Sequence, residues 1–444
     1  MAQVKTLYDL VVVGAGPAGL MAAKTAAENG LKVALLERKT GIPKIRRVDG
    51  GGIGVNEYLL GQMVLFNAKA HRLCFPVCGF SIPYDGPYAN IYGFQVYSPG
   101  GKRILLGNWE EAQKKGDEVR VGIFLDKEIL LRRLLEECRD CGAEIFPGAN
   151  VSDLKREDTV VQLTANGEVF EGTFVVAADG INSRIARILK FNKERKFLGT
   201  ERCITWVMEG TVPVDPGSFN FVITEKGTFS VATSFREGLF HITYLTFDPN
   251  VDLNHRIEYF VTQDPTYASW FTHAHKVEVT SCVVNHLSHL KEPFRDNVLL
   301  IGDAAWIMEF SNMAALCSGW KAGHVITLAI TDGKIGREGM VSYLEWWKKN
   351  FYGLRGEYDF GLGAGDLQDY LSGEELDYLA GLVKEPFPAT MNFFTLFNQI
   401  GETYGNLFPT IEQERPEIMG KLLEMRAQME EVRKKTIKAG FANR

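Results

Sequence analysis

The run Tyr8 to Val13, YDLVVV, is followed without a break by Gly14-Ala15-Gly16-Pro17-Ala18-Gly19, and no other stretch constrains the fold of this chain as strongly. A continuous apolar run of this kind fits a parallel strand buried on both faces. An alanine-rich helix is predicted from Ala18 to Asn29, broken at Gly30, and the chain resumes as a second strand over Lys32 to Leu36 that ends on Glu37. The order strand, glycine turn, helix, strand is a βαβ unit, which implies an α/β protein with a parallel sheet.

Each glycine has a physical task. Gly14 permits the tight turn, Gly16 lets backbone N–H groups approach a pyrophosphate, and Gly19 allows helix to pack closely on strand. The helix N-terminus then offers partial positive charge and unpaired donors to an anion. Glu37 stands where a carboxylate accepts hydrogen bonds from a ribose diol and repels a 2′-phosphate. The expected ligand is FAD or NAD, not NADP.

Two later segments choose between these. Phe174 to Arg187, FVVAADGINSRIAR, is a buried strand running into Asp179-Gly180, and Asn297 to Ala305, NVLLIGDAA, delivers Gly302 and Asp303 at a strand end. Together they resemble the Asp-Gly motif and the second flavin motif of FAD-dependent oxidoreductases with the p-hydroxybenzoate hydroxylase fold. That resemblance covers about residues 5 to 335 and implies that Asp303 binds a ribityl hydroxyl. It also implies that the loop Arg46-Arg47-Val48-Asp49-Gly50-Gly51-Gly52-Ile53-Gly54 passes near the isoalloxazine. The residues assigned to the cofactor are Gly14, Gly16, Pro17, Ala18, Gly19, Glu37, Arg38, Arg47, Gly51, Gly52, Asp179, Gly180, Gly302 and Asp303.

Among 444 residues, a net charge of −6 and the absence of a Lys/Arg block exclude a nucleic-acid surface, which needs clustered cations. Seven cysteines without regular spacing fit reduced thiols and, with no signal-peptide pattern at the N-terminus, a cytoplasmic location is expected. No uninterrupted apolar run reaches the roughly 18 residues of a membrane span, which leaves peripheral membrane contact open.

The three motifs are scattered, so the FAD domain is expected to be discontinuous: 1–75, 112–195 and 280–335. Residues 76–111 and 196–279 carry alternating, aromatic-rich runs and are assigned to an antiparallel substrate-covering sheet, and 336–444 to a helical C-terminal region. In that region Met340, Leu344, Trp347 and Phe351 form one apolar stripe. Ile418, Leu422, Met425, Met429 and Val432 form another, readable as a homodimer seam or as a face docked within the chain.

The early glycine-rich loop and Ser311 to Ile330 look closer to geranylgeranyl reductases and quinone oxidoreductases fed by electron-transfer flavoprotein than to aromatic hydroxylases. Two departures stand out: the aromatic-proline substrate motif of prenyl reductases is missing, and Gly122 replaces the family arginine before Asp126. With no cysteine after Cys317, an iron–sulfur cluster at the C-terminal end is excluded. The expected reaction is hydride transfer through FAD to a double bond or quinone-type group of a hydrophobic or aromatic small molecule, fed by NAD(P)H or a reduced protein donor. An aromatic monooxygenase using NAD(P)H and oxygen, and a non-catalytic electron-transfer flavoprotein, are the alternatives. Trp206, Phe219, Phe221, Tyr244 and Trp306 are expected to line the substrate pocket. No catalytic acid or base is assigned and no metal site is expected. Cys138-x-x-Cys141 and the set His71, Cys74, Cys78 read first as structural, and His286 and His289 as solvated loop residues before they read as proton donors.

Overall fold

A computed structural model describes residues 6–305, 312–352 and 367–428. Its first sheet grows from the fingerprint strand Leu7–Val13, whose Leu10, Val11 and Val12 are fully buried. On one side it pairs in parallel with Val33–Glu37, which pairs in turn with Glu144–Pro147. On the other it pairs in parallel with the long strand Glu168–Ala177, whose end also takes Val298–Leu300 in parallel while its beginning turns back into the antiparallel strands Val160–Ala165 and Val151–Glu157. All three sequence motifs therefore sit at the carboxyl ends of adjacent parallel strands, where open α/β sheets bind ligands.

The helix Pro17–Glu28 has Pro17 at its first position and lies against the helix Met313–Thr331. They meet at backbone distance: a Cβ on Gly319 would stand 2.2 Å from the Ala18 carbonyl oxygen, and one on Gly323 2.8 Å from that of Ala22. Small residues on both helices let dispersion contacts form along the crossing. Among the described residues Met313–Thr331 is also the one helix long and apolar enough to cross a membrane, and 61% of it is buried inside the protein.

The second sheet has seven strands in the order Arg103–Leu106, Gly93–Tyr97, Ser218–Thr224, Gly227–Thr233, Leu239–Thr246, Phe197–Glu209 and His275–Leu287. Its two faces follow the period of two that a pleated strand imposes. Ile204, Trp206, Val222, Phe229, Val231, Phe240 and Ile242 point to the back, onto the helix Leu253–Thr262 and the turn Ala268–Phe271. There Phe229 stacks on Phe260 with ring centres 4.1 Å apart. Cys203, Thr205, Val207, Ser230, Thr243, Thr280 and Cys282 point forward, toward the first sheet.

Two limits drawn from the sequence cut through paired backbone. The hairpin of Arg72–Phe75 with Phe80–Pro83 crosses the 75/76 limit, and the strand His275–Leu287 crosses 279/280. Glycine and proline mark turns well, but they do not show which neighbour a strand adopts.

In the C-terminal region Met340, Trp347 and Phe351 are buried in the first core, and Trp347 Nε1 donates to the Leu290 carbonyl at 2.9 Å. Helix Gly373–Leu382 starts with a reciprocal capping box between Ser372 and Glu375, and Phe393–Glu414 follows it. Residues 416–428 are also helical; Ile418 packs with Leu371, Leu376, Leu379 and Ile411, with Leu422 beside them. Those two members of the second stripe dock within the chain. Met429 and Val432 lie outside the described residues.

Candidate active site

The fingerprint turn forms one end of the site. Gly14 has φ +100°, and a Cβ there would stand 2.3 Å from the Ala178 carbonyl oxygen. A Cβ on Gly19 would stand 1.8 Å from the Gly14 carbonyl oxygen. Gly16 differs from both: its φ is −77° and a Cβ would meet no protein atom within 4 Å. The first two glycines are required by the fold, whereas Gly16 keeps clear a space in front of the helix N-terminus. Pro17 has no N–H, so Ala18 and Gly19 present the first helical donors. Glu37 is buried at the end of its strand and accepts from the Ala15 N–H at 2.8 Å and the Lys39 N–H at 2.9 Å. Burial holds the Lys39 ammonium below its usual pKa; Glu37 opposes the shift, and Arg47, Arg38 and Lys127 reinforce it. Such crowding of cations suits an anionic ligand.

The two aspartates behave differently. Asp179 accepts from the Ser183 hydroxyl at 2.6 Å and from the backbone N–H groups of Arg184 and Ile185 at 2.7 and 3.2 Å. Burial raises its pKa against those bonds. Its carboxylate is thus engaged by its own chain, holding the turn through Gly180 in place. Asp303, on the turn Gly302–Ala304, is exposed to the open space of the cavity it lines. The protein around it raises its pKa by desolvation, opposed by Lys127 and Arg47. The turn is held from behind by Arg195, a buried guanidinium that donates to the carbonyls of Ser288 at 2.6 Å and Ala304 at 3.1 Å.

The glycine-rich loop is more ordered than its sequence implies. Gly52–Gly54 is a short strand paired with Gly122–Leu125, and a Cβ on Gly51 would stand 2.6 Å from the Leu125 carbonyl oxygen. Asn312 ties the loop to the last parallel crossover, its backbone N–H and Nδ2 each reaching the Gly52 carbonyl at 3.2 Å. Asp49 pairs with Lys127 at 2.8 Å, both side chains largely buried. Lys127 and Asn312 were missed in the sequence because neither sits in a recurring motif. The one available signal was Asp126, which caps the helix Lys127–Asp140 and so aims its first turn at the site.

Between the sheets lies a cavity of about 2130 Å³. It is lined by Gly14, Gly16, Pro17, Ala18, Glu37, Arg38, Arg47, Gly51, Gly52, Asp179, Gly180, Gly302 and Asp303, while Gly19 is buried behind the turn. Single small-molecule sites span roughly 300–1,000 Å³, so this space admits a dinucleotide and a second molecule together. A glycine cradle open in front of a helix N-terminus, a ribose-side carboxylate and a second carboxylate deep in the cavity fit FAD.

Of the expected pocket residues, Phe219 and Phe221 line the cavity. They join Phe94 and Phe124 in an aromatic alcove, with Phe219 5.8 Å from Phe94 and 5.9 Å from Phe124 between ring centres. Met391 closes its far side. Tyr244 touches the cavity but packs mainly behind the sheet, 5.0 Å from Phe229. Trp206 belongs wholly to the back, where its Nε1 donates to Asn254 Oδ1 at 3.1 Å and Lys276 lies over its ring. The pleat explains this correction, because residue 206 is even-numbered on a strand whose odd-numbered residues face the cavity. Trp306 lies outside the described residues.

The rest of the covering wall mixes apolar side chains such as Val207, Phe235, Phe247 and Val284 with polar ones. His286 Nε2 lies 2.9 Å from Glu201 Oε2, which places His286 in the strand His275–Leu287 and not in a solvated loop. Burial, with Arg236 nearby, pulls His241 down to about 4, so it is neutral at physiological pH. Cys138 is buried in the helix Lys127–Asp140 and donates to the Leu20 carbonyl, and burial pushes its thiol pKa up, in keeping with a structural role. Among the described residues no cluster of metal-ligating side chains is present.

Residues 9–44 match the family described as FAD binding domain. The chain is 27% identical over 416 residues to digeranylgeranylglycerophospholipid reductase of Methanosarcina acetivorans, covering 89% of this chain and 93% of that one. It is 26% identical to the same-named protein of Methanothrix thermoacetophila over 77% of this chain and 83% of that one. Among solved structures, a geranylgeranyl bacteriochlorophyll reductase-like protein of Thermoplasma acidophilum superposes with a TM-score of 0.66 at 19% identity, covering 95% of this chain and 100% of that one. p-Nitrophenol 4-monooxygenase of Pseudomonas putida superposes with a TM-score of 0.57 at 16% identity, covering 96% and 99%. These likenesses establish a shared fold.

Proposed function

Starting from a chain that is an FAD-dependent oxidoreductase of the geranylgeranyl-reductase-like branch, we propose that it reduces a carbon–carbon double bond of a long, apolar, isoprenoid-like substrate. The observation that carries this reading is the continuity of the cavity from the glycine turn to the aromatic alcove of Phe94, Phe124, Phe219 and Phe221. Relatives named for reduction of geranylgeranyl lipids, matched along most of the chain, support the choice of substrate class.

In this reading the Gly14–Gly19 turn holds the pyrophosphate, Glu37 the ribose, and Asp303 a ribityl hydroxyl. Arg38 would serve the nucleotide side and Arg47, Gly51 and Gly52 the ring side, while Asp179 holds the turn through Gly180. FAD supplies the hydride. The chain's own residues do the rest: the alcove binds the apolar chain and excludes water, which favours hydride transfer over side reactions. The second carbon needs a proton. Among the described lining residues the hydrogen-bonded imidazole–carboxylate pair is His286 with Glu201, in which the carboxylate orients the ring.

NAD(P)H or a reduced protein donor returns the flavin to its reduced form; anaerobic bleaching of the flavin by NADH or NADPH alone identifies the first, and its absence the second. The shared fold with p-nitrophenol 4-monooxygenase makes oxygen insertion the competing outcome. Turnover under labelled oxygen separates them. Reduction leaves the product free of label, whereas a labelled hydroxyl in the product would falsify the reductase reading.

A further inference from the structure

Cys203 and Cys282 stand directly opposite each other on the antiparallel strands Phe197–Glu209 and His275–Leu287. Both line the cavity, on the same forward face as Thr205 and Thr280. Directly opposed residues of an antiparallel pair have Cα atoms about 4.5–5.5 Å apart, within the roughly 4.4–6.8 Å that a disulfide spans. Their side chains share a face, so closing the bond needs only a small approach of the two Cβ atoms. No step of the proposed reduction uses either sulfur.

We infer that Cys203 and Cys282 form a redox-active dithiol in the cavity wall, which low-molecular-weight disulfides oxidise to a cross-strand disulfide. The inference goes beyond the reductase reading and does not depend on it. The two thiols are not equivalent. A hydrogen bond from Cys203 lowers the Cys282 pKa and Arg47 adds to the effect, against burial, Glu201 and Asp49. Bonding to Cys282 and burial raise that of Cys203. Cys282, the more accessible of the two, is therefore the attacking thiolate, and the buried Cys203 the resolving thiol. In the first step the Cys282 sulfur bonds to one sulfur of the disulfide and expels the other half as a thiolate, which takes up a proton. In the second, Cys203 loses its proton, attacks the Cys282 sulfur of the mixed disulfide and expels the remaining half. One disulfide is reduced to two thiols while the two cysteines are oxidised to one disulfide.

Glutathione disulfide is the probe, added to the FAD-loaded full chain and followed by alkylation, thiol counting and peptide mapping. The seven free thiols of the starting protein are expected to fall by two, with one cross-linked peptide joining Cys203 to Cys282. Cys203→Ser should stop at a stable glutathione adduct on Cys282, and Cys282→Ser should form neither adduct nor cross-link. Retention of all seven thiols overturns the inference. So does a bond confined to another pair, such as Cys138 with Cys141, or an adduct on Cys203 in Cys282→Ser. The wild-type count needs no variant to fold.

Discussion

Replacing Gly16 with valine separates the needs of the fold from those of the cofactor. The backbone at Gly16 is ordinary, with φ −77° and ψ −178°, and a Cβ there meets nothing within 4 Å. The folded protein should accept the side chain with a stability change within about 0.5 kcal/mol, offset further by the lower entropy of an unfolded chain that has lost a glycine. The isopropyl group would occupy the space in front of the Ala18 and Gly19 N–H groups. Charge-assisted bonds to a phosphate contribute roughly 1.5–3 kcal/mol each, so displacing the anion from two of them costs about 3–6 kcal/mol, a loss of roughly 10²- to 10⁴-fold in FAD affinity. Gly19→Ala is the control, since its Cβ would collide with the Gly14 carbonyl oxygen at 1.8 Å and should prevent folding. The assay is FAD titration of apoprotein beside a thermal melt. A Gly16→Val protein that melts like wild type and still purifies fully yellow would refute the placement of the pyrophosphate.

Asp303→Ala should weaken FAD binding by about one to two decades, the value of a charge-assisted hydrogen bond. Because Asp303 faces the open cavity, the Tm of the apoprotein should not fall; loss of stability with unchanged affinity would assign Asp303 to the fold. Trp206→Ala should lower stability by about 3–5 kcal/mol, as for a large core aromatic, and leave KM unchanged, whereas Phe219→Ala should raise KM for the apolar substrate; a reversed pair of effects would put Trp206 in the pocket. His241 sits near 4 when folded and near about 6.5 when unfolded, so the unfolded chain binds the extra proton between those values. Stability is then lost as pH falls through that window, by at most about 3–4 kcal/mol. His241→Gln should flatten the stability–pH curve there, and an unchanged slope in denaturant titrations from pH 7 to pH 4 would contradict the assignment.

The first βαβ unit was legible because its glycines answer local steric demands that leave a direct mark on the sequence. The Asp-Gly and Gly-Asp turns were legible as strand ends that meet only in three dimensions. Other features depend on partners distant in the chain. The glycines of Met313–Thr331 let it cross Pro17–Glu28 at backbone contact, and nothing local to Gly319 names Ala18 as its neighbour. Glu57 at the foot of the glycine-rich loop is bonded by the Thr390 hydroxyl at 2.5 Å, which brings Met391 to the alcove. Trp206 was misplaced because aromatic content was weighed without the parity of its strand. Phe94 and Phe124 were missed because each lies on a short strand whose pairing, with Ser218–Thr224 and Gly52–Gly54 respectively, crosses long stretches of sequence.

The central claim is tested most directly by a single turnover without oxygen. Enzyme whose flavin has been reduced photochemically is mixed with an isoprenoid alkene, and both flavin colour and product mass are followed. The account predicts that the flavin reoxidises at a rate set by alkene concentration and that the product is heavier by two hydrogens, one from the flavin and one exchangeable with solvent. A flavin that stays reduced with every apolar alkene, and reoxidises only when oxygen is admitted, would contradict it.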